Sequence, residues 1–351
     1  MSDDAPERKN GDPATGLPRS EEEEVTMRKL IQNGLVLSAA LFAAAGSGAS
    51  AQDAFPNGPV RIIVNSAAGA STDLSARQYA DLMSETLGQP VVVENRVGGG
   101  GLIGIQYVMD QPADGQTLLV SAGTINIQQA LRPSVGYSMG EDLIPVGLLM
   151  RSPIVLVTGS NTPYESMEDI VSHAEENPGE LSFGTAGLGT TTHIGPEMFM
   201  VERGLEVEMV PYQGSSAGFP DTIEGRVDGQ FSTVTSVTPH VEAGAMRMLA
   251  ITSEERDPSL PDIPTFAEFG VPDYSYYIWY GMFAPADTPD KVIKALSDAM
   301  LEAQNDEGFK EWVGTNGAEL VPMNADEFAE FVANDLAMMN AFVEKTGLTL
   351  E

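Results

Sequence analysis

The chain has 351 residues, 51 of them acidic and 18 basic, a formal net charge of −33, and no cysteine. The charge excludes nucleic-acid binding, because little is left to neutralise phosphates. The missing cysteines exclude disulfides, thiol catalysis and cysteine-held metal. Residues 1–26 carry Asp3-Asp4 and Glu21–Glu24 without apolar periodicity; they read as a start-site artefact, with Met27 the expected initiator. Met27–Ala51 then reads as an export signal: Arg28-Lys29 is a basic head, Leu35–Ala45 an apolar run, and Ala49-Ser50-Ala51 a cleavage site. Cleavage near Ala51 and a periplasmic location follow as expectations. The remaining chain holds no run of about 18 apolar residues, so no membrane span is expected.

Beyond Ala51 strands and helices alternate. Val60–Val64 is a β-branched strand, and a helix starts near Ser71 with Ala76, Tyr79, Ala80, Met83 and Leu87 on one face. Pro90–Glu94 is a second strand, followed by Gly98–Gly101, a helix to about Gln111 and a third strand, Gln116–Ser121. This β-α-β-α-β order predicts a parallel, doubly wound sheet. A second series begins near Ile154–Val157. Its first helix runs from Ser166 to Asn177 and opens with a capping box to Asp169. Strands follow at Leu181–Phe183, Val207–Pro211, Gly229–Ser232 and Arg247–Thr252, with a helix at Thr191–Arg203. Asp257–Pro272 reads as a rigid surface strap. After Trp279-Tyr280-Gly281 the chain is expected to be purely helical. One helix starts at Thr288-Pro289-Asp290 with proline in its first position. The last is marked by Phe328, Phe331, Val332, Met339 and Phe342.

Two segments share the order strand, small-residue loop, helix start: Val64–Asp73 and Phe183–His193. Small residues let backbone N–H groups approach a ligand, and a helix start supplies unpaired donors and positive potential. One such loop per lobe makes a cleft suited to a molecule with a carboxylate at each end. Asp73 either meets its own helix dipole or receives an amino or hydroxyl group of the ligand. Gly99-x-Gly101-x-x-Gly104 matches a dinucleotide pattern. However, Asn95-Arg96-Val97 intervenes after the strand and no basic residue follows before Arg132, so a close-packed turn is expected. His173, His193 and His240 lack metal-ligand spacing, so neither metal nor cofactor is expected. No nucleophile–base set can be assembled, so the chain is not expected to be an enzyme; His193 reads as a helix-start hydrogen-bonding residue.

Seven blocks in order then carry a resemblance. They are FPNGPVRIIV…GASTDLSAR (55–77), QPVVVENRVGGGGLIG (89–104), PADGQTLLV (112–120), GELSFGTAGLGTTTHI (179–194), VPYQGSSAGFPDTIEGRVDG (210–229), MRMLAITSEERDPSLPDIPTFAEFG (246–270) and WYGMFAPADTPDKV (279–292). The chain resembles the extracytoplasmic substrate-binding proteins of tripartite tricarboxylate transporters, the Bug family. The resemblance implies an α/β, two-lobed periplasmic-binding-protein fold, each lobe a mostly parallel sheet flanked by helices. Lobe 1 would be 52–152 plus 281–351 and lobe 2 would be 153–280. It implies capture of a small mono-, di- or tricarboxylate, delivered to a two-subunit membrane permease by a protein whose lobes close by hinge motion; a monomer is the default expectation. The alternative is a sensor component that presents its ligand to a two-component system. The binding positions implied are Asn65, Ser66, Ala67, Gly69, Ser71, Thr72 and Asp73, then Thr124. The second grip would be Gly184, Thr185, Gly187, Gly189, Thr190, Thr191 and His193, with Tyr212, Gly214 and Asp221 in a third block. The first loop departs from the family's proline, aromatic and later Gly-Gly: it has Asn65, Ser66 and Gly69-Ala70. A more polar or differently shaped ligand is expected from that change.

Overall fold

The β-branched run Val60–Val64 forms β1, buried at every residue but Arg61. The structure, a computed structural model, describes residues 55–350; the leading segment 1–26, the expected export signal and its cleavage site lie outside the described residues. Parallel pairing of β1 with β2 (Val91–Asn95) and with β3 (Thr117–Ala122) gives the order β2-β1-β3. Helix α1 (Ser71–Leu87) lays Ala76, Tyr79, Ala80 and Met83 onto this sheet and closes at Gly88. Helix α2 spans Leu102–Met109 and α3 spans Thr124–Leu131.

Strand β4 (Leu143–Gly159) is 17 residues long and starts well before the expected Ile154. From Leu143 to Pro153 it pairs antiparallel with β9 (Tyr277–Pro285), which in turn pairs antiparallel with β3. From Ile154 onward its partners are β7 (Gly229–Thr233) and β8 (Met246–Ile251), both antiparallel. Parallel to β7 runs β5 (Ser182–Thr185), and parallel to β5 runs β6 (Glu208–Pro211). One strand therefore belongs to two sheets. The second sheet carries α4 (Met167–Glu176), α5 (Thr191–Arg203), α6 (Ser215–Ile223) and α7 (Val234–Glu242). Helices α8 (Asp290–Ala303), α9 (Glu307–Thr315) and α10 (Ala325–Thr346) complete the first. The Ser166–Asp169 capping box of α4 is formed on both sides.

Three expectations need correction. The chain is not purely helical after Gly281, because Trp279–Gly281 lies inside β9 and the strand continues to Pro285. Pro289 is the N-cap of α8 rather than its first helical residue: its ψ is 140° and its carbonyl accepts from Ile293, while the Thr288 hydroxyl turns back to the Pro285 carbonyl. The segment 257–272 is not only a surface strap. Phe266 is fully buried and packs edge-on against Phe199, so this strap is anchored through the core of the second sheet.

Candidate functional site

Asn65 turns inward from the end of β1. Its Nδ2 donates to Ser121 Oγ (3.0 Å), and its side chain fills the space that a Cβ on Gly101 or Gly104 would need, 2.7 and 2.9 Å away. The glycine pattern thus serves close packing against the first loop. Asp73, in the first turn of α1, is 2% exposed. Its Oδ2 accepts from the Gly69 N–H (2.8 Å) and Arg77 Nε (3.1 Å); its Oδ1 accepts from Arg77 Nη2 and Asn95 Nδ2, both 2.8 Å. Four donors fill the four lone-pair sites of a carboxylate. Burial pushes the Asp73 pKa up, but Arg77, Gly69 and Asn95 outweigh it and hold the carboxyl below the ordinary range. Asp73 therefore pins the loop and has no lone pair left to offer. Ser66 differs: its Oγ is buried and has no partner, while its carbonyl accepts from Asn95 Nδ2 (3.1 Å). A buried hydroxyl without a partner fits a ligand or a bound water. Ala67 and Gly69 are exposed, and Thr72 is buried with its carbonyl accepting from Ser75 Oγ (3.1 Å).

The second loop is ordered by its own hydroxyls. Thr185 Oγ1, at the end of β5, accepts from the Gly187 N–H (3.3 Å), and Thr192 Oγ1 accepts from the Ala186 N–H (3.0 Å). Thr190 Oγ1 donates to the Gly187 carbonyl (2.8 Å). The Gly189 N–H donates to His193 Nδ1 (3.2 Å), so the imidazole carries its proton on Nε2, which lies 3.0 Å from Glu197. Burial lowers the His193 pKa and raises that of Glu197, so the ring is held neutral. The third block braces this loop. Gly214 N–H donates to the Ala186 carbonyl (3.1 Å), and the Tyr212 ring packs beside Gly184. Tyr212 Oη donates to Asp221 (2.8 Å); burial and that carboxylate push the phenol up to about 12. Asp221 also accepts from Arg226 Nε (2.8 Å), so it too is committed within the chain.

Helix starts bring these pieces together. Helices α4, α9 and α10 are capped by the side chains of Ser166, Asp306 and Asn324. Helices α1, α3 and α5 begin at Ala70, Gly123 and Thr190 with no side-chain cap, as do α2, α6, α7 and α8; Ala70 and Gly123 have no side-chain acceptor, and the Thr190 hydroxyl is turned towards the Gly187 carbonyl. The first-turn N–H groups of Ser71, Thr72, Thr124, Thr191 and Thr192 therefore have no intrahelical acceptor. All three helices touch one aromatic stretch leading into and through β9, α1 and α3 at their starts and α5 in its second turn. The Tyr280 phenol faces Ser71, Trp279 accepts at its carbonyl from the Gly123 N–H (2.9 Å), and Tyr276 packs on Gly195 in α5. Tyr276 and Tyr280 are four residues apart, roughly 13 Å of extended chain. Thr124 is the first residue of α3. Tyr276, Trp279 and Tyr280 were absent from the expected site; the aromatic run Tyr274–Tyr280 is the signal that could have found them. No Lys or Arg occurs in 65–73, 184–193 or 212–221, so an anion there must be met by backbone N–H groups and hydroxyls. Three surface cavities lie elsewhere: about 320 Å³ beside Glu197 and Met209, 560 Å³ beside Tyr107 and 620 Å³ beside Leu87. The candidate site is marked by its donor geometry.

Residues 75–348 match the model of the tripartite tricarboxylate transporter family receptor. The chain belongs to this family. It is 34% identical over 301 residues to Protein BugT of Bordetella pertussis, covering 85% of this chain and 92% of that protein. Among solved structures it is similar to Rpa4515 of R. palustris with adipate (32% identity, TM-score 0.73, 84% of this chain and 99% of that one). It is also similar to MatC of Rhodopseudomonas palustris with bound malate (28%, TM-score 0.69, 82% and 100%). The fold is that of the two-lobed periplasmic binding proteins, and family members are solute-binding receptors rather than enzymes.

Proposed function

We propose that the protein captures a small mono-, di- or tricarboxylate in the cleft and delivers it to a two-subunit membrane permease. One observation carries this: the uncapped starts of α1 and α3 lie against Tyr280 and Trp279, and α5, also uncapped, packs through Gly195 on Tyr276, with no cation among the loops. Helix starts favour carboxylates, and their N–H groups supply the charge-assisted bonds that an anion needs. The relatives bound to adipate and malate support a dicarboxylate first among these. Within the site, Ser66, Ser71, Thr72, Thr124, Thr191 and the backbone of Gly187–Thr190 would make or water-mediate the contacts. Asp73, His193, Tyr212 and Asp221 would hold those groups in place. The working lobes are 52–152 plus 281–351 and 153–280, supported by the change of partners along β4 after Pro153. Export through Met27–Ala51, cleavage near Ala51 and action as a monomer complete the reading.

A thermal-shift screen of the purified protein against mono-, di- and tricarboxylates, amino acids and aromatic acids tests it. A ligand at 100 times its dissociation constant adds about 2.7 kcal/mol. A shift with one of the carboxylates is expected; a folded protein that answers none of them removes the carboxylate reading.

A further inference from the structure

The last described residues pass from the first sheet's helix to the second loop. Helix α10 ends at Gly347 in the left-handed conformation, and the chain turns there. Just before the turn, Lys345 Nζ donates to Glu202 of α5 (2.8 Å). Just after it, the Leu350 N–H donates to the Leu131 carbonyl at the end of α3 (3.0 Å). The Leu350 side chain then lies over Gly189: a Cβ built on Gly189 would stand 2.3 Å from Leu350 Cδ1. Gly189 has φ +68°, and its N–H is the one held by His193. The glycine is thus needed twice, for its backbone angle and for the leucine above it. The second loop is held from within by His193 and from outside by Leu350, which is also bonded to α3. The family match ends at residue 348, so this contact lies beyond it.

We propose that Leu350 is a positioning residue for the binding site: segment 347–350 clasps the Gly187–Gly189 loop and ties it to the helix that begins at Thr124. This rests on the reading of that loop as a ligand grip. The clasp couples the two halves of the site, because ordering Leu350 on Leu131 orders the loop that it covers. Leu348 also packs on the core, but the three atoms nearest a Cβ on Gly189 all belong to Leu350, so Leu348 serves as the control.

The test is hydrogen exchange, read by mass spectrometry, on the purified protein and its Leu350→Ala, Leu350→Met and Leu348→Ala variants without ligand. In Leu350→Ala, exchange in peptides covering 186–194 is expected to rise about tenfold while the core strands keep their protection. Leu350→Met restores most of the protection, and Leu348→Ala leaves the loop unchanged. Unchanged exchange at 186–194 in Leu350→Ala overturns the clasp, as does an equal rise in Leu348→Ala. Calorimetry with malate and adipate separates the two readings. If one of them binds, Leu350→Ala weakens it by about tenfold at unchanged stoichiometry, and unchanged affinity overturns the positioning role. If neither binds, exchange still decides the clasp, and only the choice of those two acids is at fault.

Discussion

Two buried aspartates in this molecule carry opposite pH signatures. Asp73 is held below its ordinary pKa of 3.8 by Arg77, Gly69 and Asn95 against the opposing effect of burial. Its contribution is therefore present above that value and lost as pH falls through the lowered one. Asp73→Ala strands Arg77, Asn95 and the Gly69 N–H, and is expected to cost about 2–4 kcal/mol in urea unfolding at neutral pH. A loss below 1 kcal/mol would mean that the loop is held by something else. Asp335 is the reverse case. Burial pushes it up to about 6, against the Asn126 amide (2.8 Å) and the Trp279 indole that favour its charged form. Its contribution is full below 3.8 and lost as pH rises through about 6. Asp335→Asn keeps an acceptor for both donors and removes the charge. At neutral pH it is expected to melt no lower than the parent, and its stability should be flatter between 3.8 and about 6; a clear drop in melting temperature at neutral pH would refute this. Neither role was legible in the sequence. Asp73 was visible as a first-turn carboxylate, but its partner Asn95 comes from a neighbouring strand, and only folding shows that all its lone pairs are taken.

At the scale of elements, the proposed site has uncapped helix starts trade stability for binding. Ala70 already has N-cap angles, φ −71° and ψ 158°. Ala70→Asp would supply the missing acceptor and raise the ligand-free melting point by about 1 kcal/mol equivalent. The same carboxylate would occupy the donors meant for the ligand, so affinity for the acid found in the screen is expected to fall by about tenfold, roughly one charge-assisted bond. Paired melting curves with and without that acid read both effects; a variant that binds as tightly as the parent would place the ligand elsewhere. Gly104→Ala tests the glycine pattern: its Cβ would lie 2.9 Å from the Arg96 carbonyl, and a cost of about 1–3 kcal/mol is expected in the same unfolding assay. Periodicity and capping signals were enough for α1, α4, α5 and α10, whose apolar faces or caps are regular. The first half of β4 escaped because Pro145 and Gly147 look like breaks, whereas they mark a register shift within a continuous strand. Helices α3 and α9 escaped because eight or nine residues are too few to display a period.

For the whole molecule, charge dominates. With 51 acidic and 18 basic residues, self-repulsion acts over the entire surface. Added salt also weakens pairs such as Lys294–Asp298, but exposed pairs of that kind are worth little. The melting temperature is therefore expected to rise from low to molar sodium chloride; a fall would show that specific ion pairs outweigh the repulsion. Overall architecture was legible because family blocks and strand–helix alternation span the chain, whereas the sharing of one strand by two sheets was not. That sharing sets an order of assembly. Leu143 pairs with Pro285 and Pro153 with Tyr277, so the seam joins stretches more than 120 positions apart. Local units such as β1-α1-β2 can form early, but closing so long a loop is entropically slow. During synthesis the first sheet lacks β9, and β4 lacks a partner along its first half, until residues beyond Pro285 have left the ribosome. The proposed site, which rests on Trp279 and Tyr280 of that strand, is therefore expected to be among the last parts of the molecule to form.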